Sequence, residues 1–510
     1  ILIHLQDQFY KKMNTNHTFV LGRIEKEFVV QKKYKPFNKY IVLHRAIKTC
    51  ILNKEIPDGC LLPSTRVLAE ALKLSRTTVN KSYELLQLEK LVVPKTGSGN
   101  RVNYNDSTNT KSTSEKKAID KDLYPSISQK GISYLKNVSL LNRPHDNNLA
   151  FRPGISPIDA FPVNQWKKLL DAYWRQVKSS GLSYSNSTGI LELKKSIRDY
   201  LNISRNIKCN HEQIIIVSGS LQSLYLITNA LLDKEDTVVL ENPLFPNVRS
   251  VFKSSQANLV PIDLDEEGIN IKQMNKIKDR KTKIVHSTPS NHYPLGIKMS
   301  LKRRQELLQW ASKNKALIIE NDYENEIANS IENVPTIFSL DTEDRTIYMG
   351  TFNRLLHPSI RLGYMIVPKY LVSTVSSIQE HSHRFVTPSL QVVMYQFINK
   401  NYLYQHIKNC IAVAKVRHDL FVSAFEARSK TMYIQKKPFS SFHVLAFFKN
   451  PESIAHEKRI IDELKKYNIT VFSLSKCYIG KPKLQGLILG YASVRPNYLK
   501  KKVEKMTEIV

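Results

Sequence analysis

Between residues 41 and 102 the apolar positions recur at helical spacing in three short runs, then switch to strand spacing. Ile41–Asn53 sets Leu43, Ile47, Cys50 and Ile51 on one side, which predicts an amphipathic helix stopped by Pro57-Asp58-Gly59. Thr65 to Leu72 sets Val67, Leu68, Ala71 and Leu72 on one side, behind Ser64. The Ser64 hydroxyl can accept from an otherwise orphan backbone amide, so it is a natural N-cap. Lys73-Leu74-Ser75 is too short for more than a turn. A further helix starts behind Ser75 and runs to about Leu88, with Val79, Tyr83 and Leu86 at i, i+4 and i+7. Leu91-Val92-Val93 and the Thr96-Gly97-Ser98-Gly99 turn predict a small β-hairpin. Two short helices, a tight turn and a hairpin make a winged helix-turn-helix.

Downstream the pattern changes twice. From residue 105 to 148 the chain is rich in Asn, Asp, Ser, Thr and Lys and has few apolar residues to offset the entropy of ordering it. It reads as an interdomain linker, with Tyr124 and the Tyr134-Leu135 region docking locally. From 149 onwards, buried-type strands at Gln213–Val217, Thr237–Leu240, Lys283–Ser287, Leu317–Glu320 and Thr346–Met349 alternate with helical segments such as Ser220–Leu232 and Leu301–Asn314. That alternation implies a mainly parallel sheet covered by helices on both faces. The expected architecture is multidomain: an N-terminal extension over 1–35, an α-rich winged helix-turn-helix over 36–104, a linker over 105–148, and an α/β domain over 149–510. The last of these divides into a large part at about 190–375 and a small α+β part at about 400–510. A chain beginning at Ile1 rather than Met is expected to have an unnatural or over-extended start, so no fold is assigned to 1–35.

Charge sharpens the reading of the front. The 510 residues carry 76 Lys+Arg against 45 Asp+Glu, a formal charge of +31, which fits a polyanionic partner. Residues 1–105 hold 18 Lys+Arg against 8 Asp+Glu, so the excess is denser there but continues along the whole chain. Beside the helix that follows Ser75, the polar face holds Arg76, Thr77, Asn80 and Lys81, groups that reach phosphates and base edges. Ser64, Thr65, Arg66, Thr78 and the 96–99 turn complete the candidate contacts to double-stranded DNA. Five dispersed cysteines without a CxxC pair exclude a zinc site and a disulfide scaffold and suit a reducing cytoplasm; no metal is expected. No apolar run is long enough to span a bilayer, and the first residues lack a signal-peptide core.

The stretch Pro63-Ser64-Thr65-Arg66-Val67-Leu68-Ala69, Ser75-Arg76-Thr77-Thr78-Val79, Gly97-Ser98-Gly99 resembles the GntR family of winged-helix regulators over about 65 residues. The resemblance implies that the helix from Arg76 enters a major groove, with Arg66 and the wing on the backbone or minor groove. A second set of motifs follows: Ser218-Gly219-Ser220, Glu241-Asn242-Pro243-Leu244-Phe245-Pro246, Thr288 to Gly296, Ile319 to Tyr323, Gly350 to Arg354, and Arg361-Leu362-Gly363-Tyr364. In order and spacing these resemble fold type I aminotransferases, which bind pyridoxal phosphate, and more narrowly the aminotransferase-like half of MocR regulators, a GntR subfamily. The resemblance covers about 150–490. It implies that Ser218, Gly219, Ser220 and Leu221 line a cofactor phosphate with Arg361 as bidentate partner. Phe245 would stack on the pyridine ring, while Asn291 or His292, and Tyr323, would approach its 3-hydroxyl side. The alternatives are a core phenylalanine at 245 and a structural ion pair at 361.

Two departures from that pattern bear on chemistry. Where the family has a Schiff-base lysine, this chain has Arg354, and a guanidinium that stays charged cannot attack an aldehyde. Where the family has an aspartate that holds the pyridine nitrogen protonated, this chain has Asn321, unless a shifted loop brings Asp322 round. The expectation is therefore a regulator, not an enzyme. It binds operator DNA as a homodimer, and its degenerate aminotransferase-like body serves for dimerisation and the sensing of a small phosphate- or amine-bearing effector. Pyridoxal phosphate would be bound non-covalently at best. The weighed alternatives are an active aminotransferase carrying a DNA anchor, and a body that is only a dimerisation scaffold.

Overall fold

The computed structural model describes residues 17–33, 37–95, 99–104, 125–141, 150–277, 281–328, 334–435, 437–450 and 453–510. The chain divides into two compact units, residues 1–125 and 126–510.

The first unit contains α1 (His17–Lys32), α2 (Lys39–Leu52), α3 (Thr65–Ala71), α4 (Arg76–Leu88), and the antiparallel pair β1 (Val92–Lys95) and β2 (Gly99–Val102). Part of the extension left unassigned from sequence is thus a helix. Val20, Ile24 and Phe28 of α1 enter one core with Leu43, Ile47 and Ile51 of α2. Its sequence signal is weak because only one narrow stripe of α1 is buried. Both serine caps form: Ser64 accepts from the Val67 amide at 3.3 Å, and Ser75 from the Thr78 amide at 3.2 Å. The buried side of α3 differs from the expected one. Leu68 and Ala69 are buried and Val67 is 45% exposed, because a two-turn helix is oriented by the few contacts it makes with α4. Val79, Tyr83 and Leu86 of α4 are buried as their spacing requires, and the Tyr83 hydroxyl donates to the Pro63 carbonyl at 2.6 Å. Gln87 donates to the Asn100 side chain at 2.8 Å and ties α4 to the hairpin.

The second unit begins within the stretch read as linker. Gln129–Asn137 forms α5, capped by Ser128. The Asn137 carbonyl accepts from Ser250 at 3.0 Å, and Ser133 donates to the Lys253 carbonyl at 3.2 Å, so the helix docks by polar contacts that hydrophobic patterning does not register. Tyr134 and Leu135 themselves are exposed, and Tyr124 lies outside the described residues.

Eight strands form the main sheet: β3 (Ile214–Val217), β4 (Thr237–Asn242), β5 (Asn258–Asp265), β6 (Gly268–Ile269), β7 (Thr282–Ser287), β8 (Leu317–Asn321), β9 (Thr346–Thr351) and β10 (Gly363–Ile366). Their spatial order is β3-β10-β9-β8-β7-β4-β5-β6. The run β9-β8-β7-β4-β5 is parallel, while β10 is antiparallel to both its neighbours and β6 is antiparallel to β5. Side chains alternate between two cores, as the pleat demands. Ile214 and Ile216 join the layer of α6 (Val163–Gln176) and α7 (Leu191–Arg205), whereas Ile215 and Val217 join that of α8 (Ser220–Leu231) and α9 (Pro246–Ser254). Burial on both faces is why these strands read as unbroken apolar runs. Further helices α10 (Leu301–Lys313), α11 (Lys369–Ser382) and α12 (Pro388–Asn399) complete the layers. The large part therefore draws in α6 and α12, beyond the expected 190–375, because helices distant in sequence close the open face.

The smaller part has α13 (Tyr402–Glu426), β11 (Met432–Ile434), β12 (His443–Phe448), α14 (Ile454–Lys466), β13 (Phe472–Ser473), β14 (Gly486–Gly490) and α15 (Pro496–Ile509). Its antiparallel sheet runs β11-β12-β14-β13, and Phe151 bridges to Gly490 at its side.

Candidate functional site

On the first unit, Arg66, Arg76, Thr77, Asn80 and Lys81 are exposed, with their backbone held by the buried side of α3 and α4. Ser64, Ser75 and Thr78 have structural work: the Ser75 and Thr78 hydroxyls lie 2.8 Å apart inside the cap, and Thr65 is half-buried. The Lys81 ammonium lies 5.7 Å from the centre of the Tyr40 ring, which orients that cation along α2. Gly99 begins β2 in the left-handed region at φ 85°, and Thr96, Gly97 and Ser98 lie outside the described residues.

On the second unit a cavity of about 230 Å³ opens where β3, β4, β7, β8 and β9 end, the place where open α/β sheets bind ligands. Of the residues singled out from sequence, it brings together Ser220, Leu221, Phe245, Asn321, Tyr323, Arg354 and Arg361. Gly219 sits just behind at φ 129°, and a Cβ there would come within 2.7 Å of Asn353 Nδ2, so this turn tolerates no side chain. No side chain caps α8, so its first amides are free to meet an anion. The Ser218 amide is used, donating to Gln222 at 2.6 Å. Arg361 is exposed and makes no ion pair among the described residues, contrary to the structural-pair alternative.

Asn291 and His292 do not line the cavity. Asn291 donates to the Ser440 carbonyl at 2.9 Å and its own carbonyl accepts from Tyr323, at 3.2 Å. His292 is buried with Nε2 3.6 Å from Glu241, and burial pushes its pKa down to about 3. Asp322 turns away: strand pleating sends Glu320 and Asp322 to the opposite face from Asn321. There Asp322 is paired with Arg205 and accepts from the Tyr348 hydroxyl at 2.7 Å. The shifted-loop alternative is thereby closed. Asn321 instead faces His286, 3.4 Å away, whose buried ring is pushed down to about 4 and stays neutral.

Two cavity residues, Glu241 and Arg152, carried no role in the sequence reading, and Arg354 gains neighbours that its motif did not show. Glu241 accepts from Ser287 at 2.5 Å and from the Thr288 hydroxyl at 2.8 Å and amide at 3.0 Å, yet burial still raises its pKa to about 7. Arg354 packs on Gly154, where a Cβ would strike its Nη1. It also lies 5.1 Å from the Tyr323 ring centre and 3.6 Å from Glu324. Arg152 stands beside it, and burial together with the Arg354 charge lowers the Arg152 pKa. The Arg152-Pro153-Gly154 turn was the only available signal for this wall, since it lies far from the strand motifs. Among the described lining residues there is no lysine. The residues present therefore do not fit an aldehyde cofactor held through an amine, whereas the α8 end and the aromatic walls fit a phosphate monoester.

Residues 158–488 match the family model "Aminotransferase class I and II", and residues 40–102 match "Bacterial regulatory proteins, gntR family". The chain belongs to the aminotransferase class I and II family and carries a gntR-type domain at its front. It is 29% identical over 471 residues to an uncharacterized HTH-type transcriptional regulator, YdeL of Bacillus subtilis, covering 92% of this chain and 96% of that one. It is 28% identical over 465 residues to the probable rhizopine catabolism regulatory protein MocR of Rhizobium meliloti, covering 91% and 92%. These relatives are consistent with the MocR subfamily. Among solved structures, kynurenine aminotransferase of Pyrococcus horikoshii superposes with a TM-score of 0.65 at 23% identity, over 78% of this chain and 98% of that one, which establishes the shared fold.

Proposed function

We propose that the protein is a MocR-type transcriptional regulator, in which the winged helix-turn-helix binds operator DNA and the aminotransferase-like body supplies dimerisation and effector sensing without catalysing transamination. The observation that carries this is the exposed Arg76–Lys81 face of α4, set on a fully packed and doubly capped helix pair. The antiparallel β1–β2 pair acts as the wing, and Arg66 contacts the backbone. Relatives across nearly the whole chain that are named as transcriptional regulators support the same reading. Arg354 argues against an active aminotransferase, because a guanidinium keeps the charge and loses the nucleophile. Any pyridoxal phosphate would be bound through Ser218, Gly219, Ser220, Leu221 and Arg361, without a covalent bond. A DNA-binding regulator of this kind works in the cytoplasm; among the described residues, no helix is long and apolar enough to cross a membrane.

Arg76→Ala tests the role of α4. It should weaken binding to the specific operator by about 1–3 kcal/mol if Arg76 reads a base. In a gel-shift titration against specific and scrambled duplexes, unchanged discrimination would remove Arg76 from that role.

A further inference from the structure

We propose that the cavity takes a phosphate monoester that also carries a carboxylate on a planar ring, with the carboxylate seated between Arg152 and Arg354. This rests on the reading of the second unit as a ligand-sensing body and names the class of compound it senses.

The cavity is over-supplied with positive charge. Arg152, Arg354 and Arg361 line it, against one lining carboxylate, Glu241, which is already committed to Ser287 and Thr288. Two separate anion positions follow from what the arginines touch. Arg361 lies near Gly219, at the uncapped start of the twelve-residue α8, and this pairing suits a phosphate. Arg152 and Arg354 stand at the Gly154 wall, against different elements. Arg354 has Glu324 at 3.6 Å, beyond hydrogen-bond reach, and that Glu324 oxygen accepts no hydrogen bond. Arg152 has no acceptor among the described residues. These two neighbouring, partly desolvated guanidinium groups share only the long Arg354–Glu324 ion pair, so their combined charge is incompletely met, and a carboxylate offers two oxygens to two planar forks. An aldehyde brings no charge to that position.

The space between the two anion positions is apolar and flat-walled. Phe245, Tyr293 and Tyr323 line it, with the Phe245 and Tyr293 rings edge-to-face at 5.0 Å. Asn321 and the neutral His286 present an uncharged edge, so the ring need bear no positive charge.

Calorimetric titration of the full-length chain with 3-carboxyphenyl phosphate, phenyl phosphate, benzoate and pyridoxal phosphate tests the assignment. The expected result is saturable binding of both phenyl phosphates, with the carboxylated one at least about tenfold tighter. Arg152→Gln and Arg354→Gln should each erase most of that advantage, while Arg361→Gln should weaken both compounds alike. Equal affinity for the two phosphates would overturn the carboxylate position while leaving the sensor reading in place. No saturable heat from any phosphate would overturn both. Thermal melts followed by circular dichroism report whether each variant is folded, and gel shifts bear separately on DNA binding.

Discussion

Glu241 shows how a single buried carboxylate can report on this cavity. In an unfolded chain it titrates near the ordinary 4.5; in the folded protein burial raises it to about 7 despite three hydrogen bonds. Between those values the folded state holds the extra proton. Its contribution to stability is therefore full below 4.5 and is lost as pH rises through about 7. Glu241→Gln removes the titration. Melting temperatures followed from about pH 5 to about pH 8 should fall for the natural chain relative to the variant, and two parallel profiles would refute the buried, protonatable Glu241. Asn321 and Asp322 make a second point at this scale. Adjacent in sequence, they lie on opposite faces of the pleat, so Asp322 is spent on Arg205 and Tyr348 while Asn321 alone faces the cavity.

At the scale of elements, α4 depends on its first turn more than on helix propensity, since Thr77-Thr78-Val79 is poor helix-forming sequence. Ser75 supplies the missing acceptor to the Thr78 amide and also meets the Thr78 hydroxyl. Ser75→Ala should cost about 1 kcal/mol in denaturant unfolding of the first unit, and Ser75→Asp should recover most of it. If alanine were neutral there, the cap would have no energetic role. Elements with a strong period or a capping residue were readable from the sequence: α4, the buried strands β3, β4, β7, β8 and β9, and the helices behind them. Those settled by polar docking or by a narrow buried stripe were not, as α5 and α1 demonstrate. The orientation of α3 belongs with these, because its Val67 and Ala69 exchange faces relative to the pattern.

For the whole molecule, the charge of +31 matters through its partner. Each DNA phosphate neutralised by the winged helix contributes about 0.9 to the slope of log affinity against log salt. Fluorescence anisotropy with a labelled operator across salt concentrations should show a steep decline, and a flat response would count heavily against DNA binding by the first unit. The same surplus appears within the second unit, where three arginines share one cavity. In the proposed regulator, a ligand there would act on DNA binding through a dimer of such chains.

The sequence alone determined which chemistries are open. In the proposed reading Arg354 and Asn321 stand at motif positions whose order along the chain can be counted, and a guanidinium has the same limits in any fold. It also determined the α4 face, because period and capping are local properties. Only the tertiary structure decided the company these residues keep. The placing of Arg152 beside Arg354, the direction of Asp322, and the exclusion of Asn291 and His292 from the cavity depend on chain crossings between distant segments. Local pattern holds no record of those crossings, because a side chain's spacing fixes its face on an element but not the element that face will meet.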